Sequence, residues 1–114
     1  MASDLSIELE RIEEKVILRL EGKLDAASSP LLEKKIESLI AENHHQLLLD
    51  FSRVDYLSSA GMRLLLSFTK KLKAKKGLFI LFSISDDVMA ILKMAGFDRI
   101  LHLSKTEQQA LRSH

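Results

Sequence analysis

The sequence predicts a single α/β domain, residues 1–114, built on a mixed sheet of about four to five strands that opens with a β-hairpin. Three observations carry this. Near the N-terminus, apolar residues alternate with polar ones on both sides of a short polar break. Further on, short unbroken apolar runs are each followed by a segment of helical periodicity. The chain has 114 residues, 46% apolar and 29% charged, which suits one domain with a real core.

Leu5, Ile7 and Leu9 alternate with polar neighbours, and Val16, Leu18 and Leu20 repeat that spacing after Glu13-Glu14-Lys15, with Ile17 the one apolar residue between them. Period two on both sides of a turn predicts a hairpin of half-buried strands. Glu21 to Asp25 closes the second strand. Ser28 and Ser29 are capping candidates for a first helix, and Pro30 is tolerated only in a first turn. Leu32, Ile36, Leu39 and Ile40 form its apolar stripe, and Asn43-His44-His45 ends it.

Leu47 to Phe51 is apolar on both faces, as in a strand of a parallel sheet. A loop from Ser52 to Leu57 leads to a second helix, from about Ala60 to Lys75, with the stripe Met62, Leu65, Leu66, Thr69 and Leu72. Gly77 resets the chain before a buried strand, Leu78 to Phe82. Ser85-Asp86-Asp87 starts a third helix, with a capping oxygen and two acids in its first turn. Val88, Ile91, Leu92 and Ala95 are its stripe, and Gly96 stops it. Arg99 to Leu103 is a last strand, and Ser104-Lys105-Thr106-Glu107 has capping-box spacing before a terminal helix. The predicted order is β-β-α-β-α-β-α-β-α, in which crossover helices join parallel strands.

Composition removes several functions. The absence of cysteine excludes disulfides, thiolate zinc sites and cysteine nucleophiles. Met1-Ala2-Ser3-Asp4 has neither the basic region nor the apolar core of a signal peptide. No apolar run approaches the ~20 residues of a membrane span. A cytoplasmic protein without direct membrane insertion is the expectation. Net charge is +1. The basic stretch from Lys70 to Lys76 reads either as a surface for an anionic partner or as a helix end whose lysines complement the dipole. The second reading is preferred, and no nucleic-acid partner is expected, because such binders add stacking aromatics or more net charge. His44 and His45 are adjacent and make a poor metal pair on a helix, and His102 reads as a structural histidine. The four glycines are scattered, so no phosphate-cradling loop exists and no cofactor or metal is expected.

The most informative segment follows the Leu47 to Phe51 strand, because ligands and partners of open α/β sheets gather beyond the carboxyl ends of the strands. Ser58 and Ser59 sit where the second helix presents unpaired N–H groups. One of them is expected to cap. A phosphate on the other would meet the positive helix end and add about −1.5 to −2 charges to the surface. A hydrolase would want Gly-x-Ser-x-Gly here, and no glycine precedes Ser59 at that spacing. No enzymatic activity is expected.

The run from Leu49 to Leu65, centred on Leu57-Ser58-Ser59-Ala60-Gly61, resembles the characteristic region of STAS domains, specifically the bacterial anti-sigma factor antagonists. Leu20-Glu21-Gly22-Lys23-Leu24-Asp25, Leu81-Phe82-Ser83-Ile84-Ser85 and Leu92-Lys93-Met94-Ala95-Gly96-Phe97 agree in order and spacing, so the likeness covers nearly the whole chain. It implies partner switching. The unphosphorylated antagonist binds an anti-sigma factor that is also a serine kinase, which releases a sigma factor. Phosphorylation of a serine ends the binding, and a phosphatase restores it. The family pattern is Asp-Ser-Ser/Thr-Gly, with the acceptor two residues before the glycine. Anchored on Gly61, the acceptor is Ser59. Ser58 stands in the place of the aspartate and is a rival acceptor, and Ala60 replaces the second hydroxyl. Asp25 matches the aspartate of the Gly-x-Leu-Asp segment, at the partner surface, and also reads as a cap of the first helix. Met62 and Arg63 are further contact candidates, Met62 equally a core residue. The alternative that the resemblance leaves open is a constitutive adaptor subunit, in a stress-sensing or lipid-transport complex, without a phospho-switch.

Overall fold

In the computed structural model, which describes residues 4–114, Leu5–Ile12 (β1) and Lys15–Leu24 (β2) form the hairpin. The stretch Met1–Ser3, where no signal peptide is expected, lies outside the described residues. Ile12 faces Lys15 across a two-residue turn in which Glu13 takes a left-handed conformation, φ 56°. The remaining elements are Ser29–Ala41 (α1), Gln46–Leu57 (β3), Ser59–Ala74 (α2), Leu78–Phe82 (β4), Asp86–Met94 (α3), a 3-10 turn at Phe97–Arg99, His102–Ser104 (β5) and Glu107–Leu111 (α4). The strand order in space is β1-β2-β3-β4-β5, with β1 antiparallel to β2 and the rest parallel. This is the mixed sheet the sequence predicts, with its opening hairpin.

The sheet has two unequal cores. On one face Val16, Leu18, Leu49, Phe51 and Leu81 pack beneath α1, α2 and α3, meeting Leu32, Ile36, Leu65 and Leu92. On the other face Ile17, Leu48, Ile80 and Phe82 are buried with Ala110 of α4. Burial on both faces is why these strands read as unbroken apolar runs. Arg19 ties α4 down beside the second core. Its guanidinium donates to Glu10, Asp50 and Glu107 at 2.8 to 3.0 Å, joining β1, β2, β3 and the first turn of α4.

Four details differ from expectation. The segment Ser52 to Leu57 is not a loop: β3 continues through it to Leu57, with register shifts against β2 after Arg19 and after Gly22. These irregularities break the period-two pattern and hide the strand in the sequence. Phe68 is a core residue of α2 beside Leu65 and Leu72, whereas Thr69 turns its hydroxyl back onto the Leu65 carbonyl at 2.8 Å. The α4 cap is Thr106, which accepts from the Gln109 N–H at 3.2 Å, while Gln109 reaches back to the Lys105 N–H at 3.1 Å. The capping box thus lies two residues later than Ser104-Glu107, and Glu107 is used by Arg19 instead. The last strand is only His102–Ser104, and His102 is exposed on it rather than buried in the structure.

Candidate functional site

β4 ends where Phe82 faces Asp50, so the rest of β3 stands clear of it and pairs with β2 alone. This two-strand extension carries Leu57 and the start of α2 outward. Leu24 and Leu57 are register partners, and the Ser58 N–H donates to the Leu24 carbonyl at 2.9 Å. The end of β2 and the start of α2 are therefore fixed to one another by backbone geometry.

Gly22 and Gly61 make this arrangement possible. Gly22 has φ 118°, and a Cβ there would lie 1.8 Å from the Asp4 carbonyl oxygen. Gly61 is buried, and a Cβ on it would lie 2.9 Å from both the Leu24 carbonyl oxygen and Leu57 Cδ1. Gly61 lets α2 start directly against the strand ends. It offers no side chain to a partner.

The two serines of the helix start are not equivalent. Ser58 is the N-cap, with φ −89° and ψ 170°, and its hydroxyl accepts from the Gly61 N–H at 3.1 Å. Its carbonyl accepts from the Met62 N–H at 2.9 Å. Ser59 is the first helical residue and is exposed. Its hydroxyl has no partner among the described residues, and neither have the N–H groups of Ser59 and Ala60. A free hydroxyl therefore stands beside two free backbone donors at the positive end of a sixteen-residue helix.

Asp25 follows Leu24 and organises the other side of the site. Its Oδ1 accepts from the Ser28 N–H at 2.9 Å and the Ala27 N–H at 3.0 Å. These donors, with the Ser28 hydroxyl, hold its carboxyl below the usual carboxylate range. The Asp25 carboxylate, and not Ser28 or Ser29, supplies the acceptor for the turn before α1. Ser28 Oγ instead donates to the Lys23 carbonyl at 2.7 Å and Ser29 Oγ to the Asp25 carbonyl at 2.6 Å, so both serines are buried tethers. Asp25 is thereby a fixed negative charge adjoining the strand end that holds Ser58.

Arg63 is exposed one turn into α2, whereas Met62 is half-buried against the main core. The fold thus brings Asp25, Ser58, Ser59 and Arg63 to one end of the sheet and turns Gly61 and much of Met62 inward. Tyr56 is an exposed aromatic two residues before Ser58 and the register partner of Lys23. Sequence reading missed it, because Ser52 to Leu57 showed no strand period from which its outward face could be read. Among the described residues no group of three or more His, Asp or Glu is placed to hold a metal, and no helix is long and apolar enough to cross a membrane.

The STAS domain family model matches residues 6–110. The anti-sigma-F factor antagonist RsfB of Mycobacterium tuberculosis is 27% identical over 83% of this chain and 77% of its own length. A crystal structure of an anti-sigma factor antagonist from Mycobacterium paratuberculosis superposes with a TM-score of 0.85 at 25% identity, over 96% of this chain and 94% of that one. The anti-sigma factor antagonist SpoIIAA in its unphosphorylated form superposes with a TM-score of 0.78 at 26% identity, covering 93% of each chain. The Bacillus cell fate determinant SpoIIAA in the phosphorylated form does so with a TM-score of 0.70 at 26% identity, covering 93% and 96%. With the hairpin-led mixed sheet and the serine-bearing start of α2 in place, the chain belongs to the STAS domain family.

Proposed function

We propose that this protein is a phospho-switched anti-sigma factor antagonist of the bacterial cytoplasm. Unphosphorylated, it binds an anti-sigma factor that is also a serine kinase, and so releases a sigma factor. The kinase phosphorylates Ser59 and the complex dissociates. A phosphatase removes the phosphate and restores binding. The partner-facing surface comprises Asp25, Ser59 and Arg63, with Ser58, Gly61 and Met62 setting the shape of the helix start.

The observation that carries this reading is the division of labour between the serines. The Ser58 hydroxyl is engaged as the α2 cap. The Ser59 hydroxyl is exposed and has no partner among the described residues. A kinase needs an accessible hydroxyl whose modification leaves the fold intact, and Ser59 meets both conditions. A phosphate on it would lie near the unpaired N–H groups of Ser59 and Ala60, where the helix end favours an anion. The domain would stay folded while its docking surface gained negative charge beside Asp25. That both a phosphorylated and an unphosphorylated form of SpoIIAA share this fold supports a switch acting through surface chemistry.

The reading is tested by binding of Ser59→Asp and Ser59→Ala to the anti-sigma factor kinase. An unpaired charge buried at an interface costs several kcal/mol. Ser59→Asp is expected to weaken the complex by roughly a hundredfold, with Ser59→Ala close to wild type. Wild-type affinity in both variants would remove Ser59 from the interface.

A further inference from the structure

At the pole where the parallel strands begin, opposite the end that carries Ser59, two concavities adjoin. They enclose about 380 and 310 Å3, and Gly77, Leu78 and His114 line both. The larger adds Lys73, Ile100 and His102, and the smaller adds His45, Lys75 and Lys76. Together they form one trough. No Asp or Glu side chain lines either half, so its titratable side chains are all basic. The chain as a whole carries a net charge of only +1. Lys73, Lys75 and Lys76 therefore concentrate positive charge locally, and the acids Glu13 and Glu14 line a separate concavity beyond His45 and Gln46.

The dipole of α2 accounts for part of this, since Lys71 and Lys73 lie in its last turn. Lys71 also stands over the Phe68 ring, 5.9 Å from its centroid. The dipole does not account for His45, His102 and His114, which reach the same trough from three other segments. Nor do Lys73, Lys75 and Lys76 have carboxylate partners among the described residues. The floor is set by backbone contact: a Cβ on Gly77 would lie 2.1 Å from the His45 carbonyl oxygen. Along the larger half runs an apolar strip in which Ile100 is 53% exposed.

We propose that this trough docks an acidic protein segment that also carries apolar side chains, at the pole opposite Ser59. The lysines match carboxylates, the imidazoles offer further hydrogen-bonding groups, and Ile100 with Leu78 matches the apolar side chains. Nucleic acid is the poorer fit, because the trough has no Trp or Tyr and its one Phe, Phe79, is 3% exposed and offers no face to a base. Because Ser59 lies at the other end, the segment can be held while the switch surface is occupied or phosphorylated.

The test uses the full chain and three fluorescent probes at low salt. One is a glutamate-rich peptide with leucine at every third position, one has serine for each leucine at equal charge, and one is an oligothymidylate. The leucine peptide is expected to bind most tightly and to weaken as salt rises. Joint replacement Lys73→Gln, Lys75→Gln and Lys76→Gln, which keeps helix-forming side chains, should weaken it roughly tenfold, about 1.4 kcal/mol. Ile100→Ser should abolish the preference for leucine over serine, and Ser59→Asp should change nothing. No peptide binding, equal binding to wild type and the triple variant, tighter binding of the oligothymidylate, or loss of binding in Ser59→Asp would each overturn the proposal. Since Ser59→Asp is read here on a peptide and not on the kinase, failure of the trough and failure of the switch are distinguishable.

Discussion

The Gly61 N–H donates to the Ser58 hydroxyl at 3.1 Å, and that bond separates two adjacent serines into a structural one and an available one. Ser58→Ala should remove the α2 cap and cost about 1 kcal/mol. Ser59→Ala, which breaks no hydrogen bond, should stay within about 0.5 kcal/mol of wild type. Thermal melts of the two variants side by side measure the difference. Equal losses would mean that the capping role is shared.

Gly61→Ala should be more damaging than either. The new methyl group would meet the Leu24 carbonyl oxygen and Leu57 Cδ1 at 2.9 Å, one of them backbone that cannot rotate away. Relief requires moving α2 off the strand ends, at a cost of about 1–3 kcal/mol typical of overpacking. Urea unfolding gives the number. A variant as stable as wild type would show that the helix start shifts freely.

Acid should weaken the fold through Asp50 and Asp25. Burial pushes the Asp50 carboxyl up, but the Ser52 N–H and hydroxyl and the Arg19 guanidinium outweigh it and hold it below the usual range. The Ser28 N–H, with the Ser28 hydroxyl and the Ala27 N–H, holds Asp25 low as well. A folded value below the unfolded one, about 3.9 for aspartate, makes each contribution complete above that pH and lost as pH falls through the folded value. Stability is expected to be flat from neutrality to about pH 5 and to fall below about pH 4. Asp50→Asn should flatten part of that fall. An unchanged acid limb in Asp50→Asn would assign the loss to other carboxylates.

Much of the fold was legible because it follows from period and punctuation. The hairpin showed in Leu5 to Leu20, α3 in Ser85 and Gly96, and the buried strands in Leu47 to Phe51 and Leu78 to Phe82. What was hidden depends on residues far apart in sequence. Arg19 looked like one outward residue of an alternating strand, and only sheet pairing sets Glu10 and Asp50 beside it and Glu107 above. Ser52 to Leu57 read as a loop because register shifts against β2 scramble its alternation. At the site, the serine pair and Gly61 were visible, and the resemblance ordered them. Which hydroxyl caps was not, since both residues are good N-caps and the choice is made by where β3 stops.

The central claim is that Ser59, and not Ser58, receives the phosphate. Incubation with the anti-sigma factor kinase and ATP, followed by fragment mass spectrometry of the Leu57 to Arg63 peptide, tests it directly. The account predicts one phosphate, on Ser59, absent in Ser59→Ala and retained in Ser58→Ala. Phosphate on Ser58, or on neither serine with a kinase active on itself or another substrate, would contradict it.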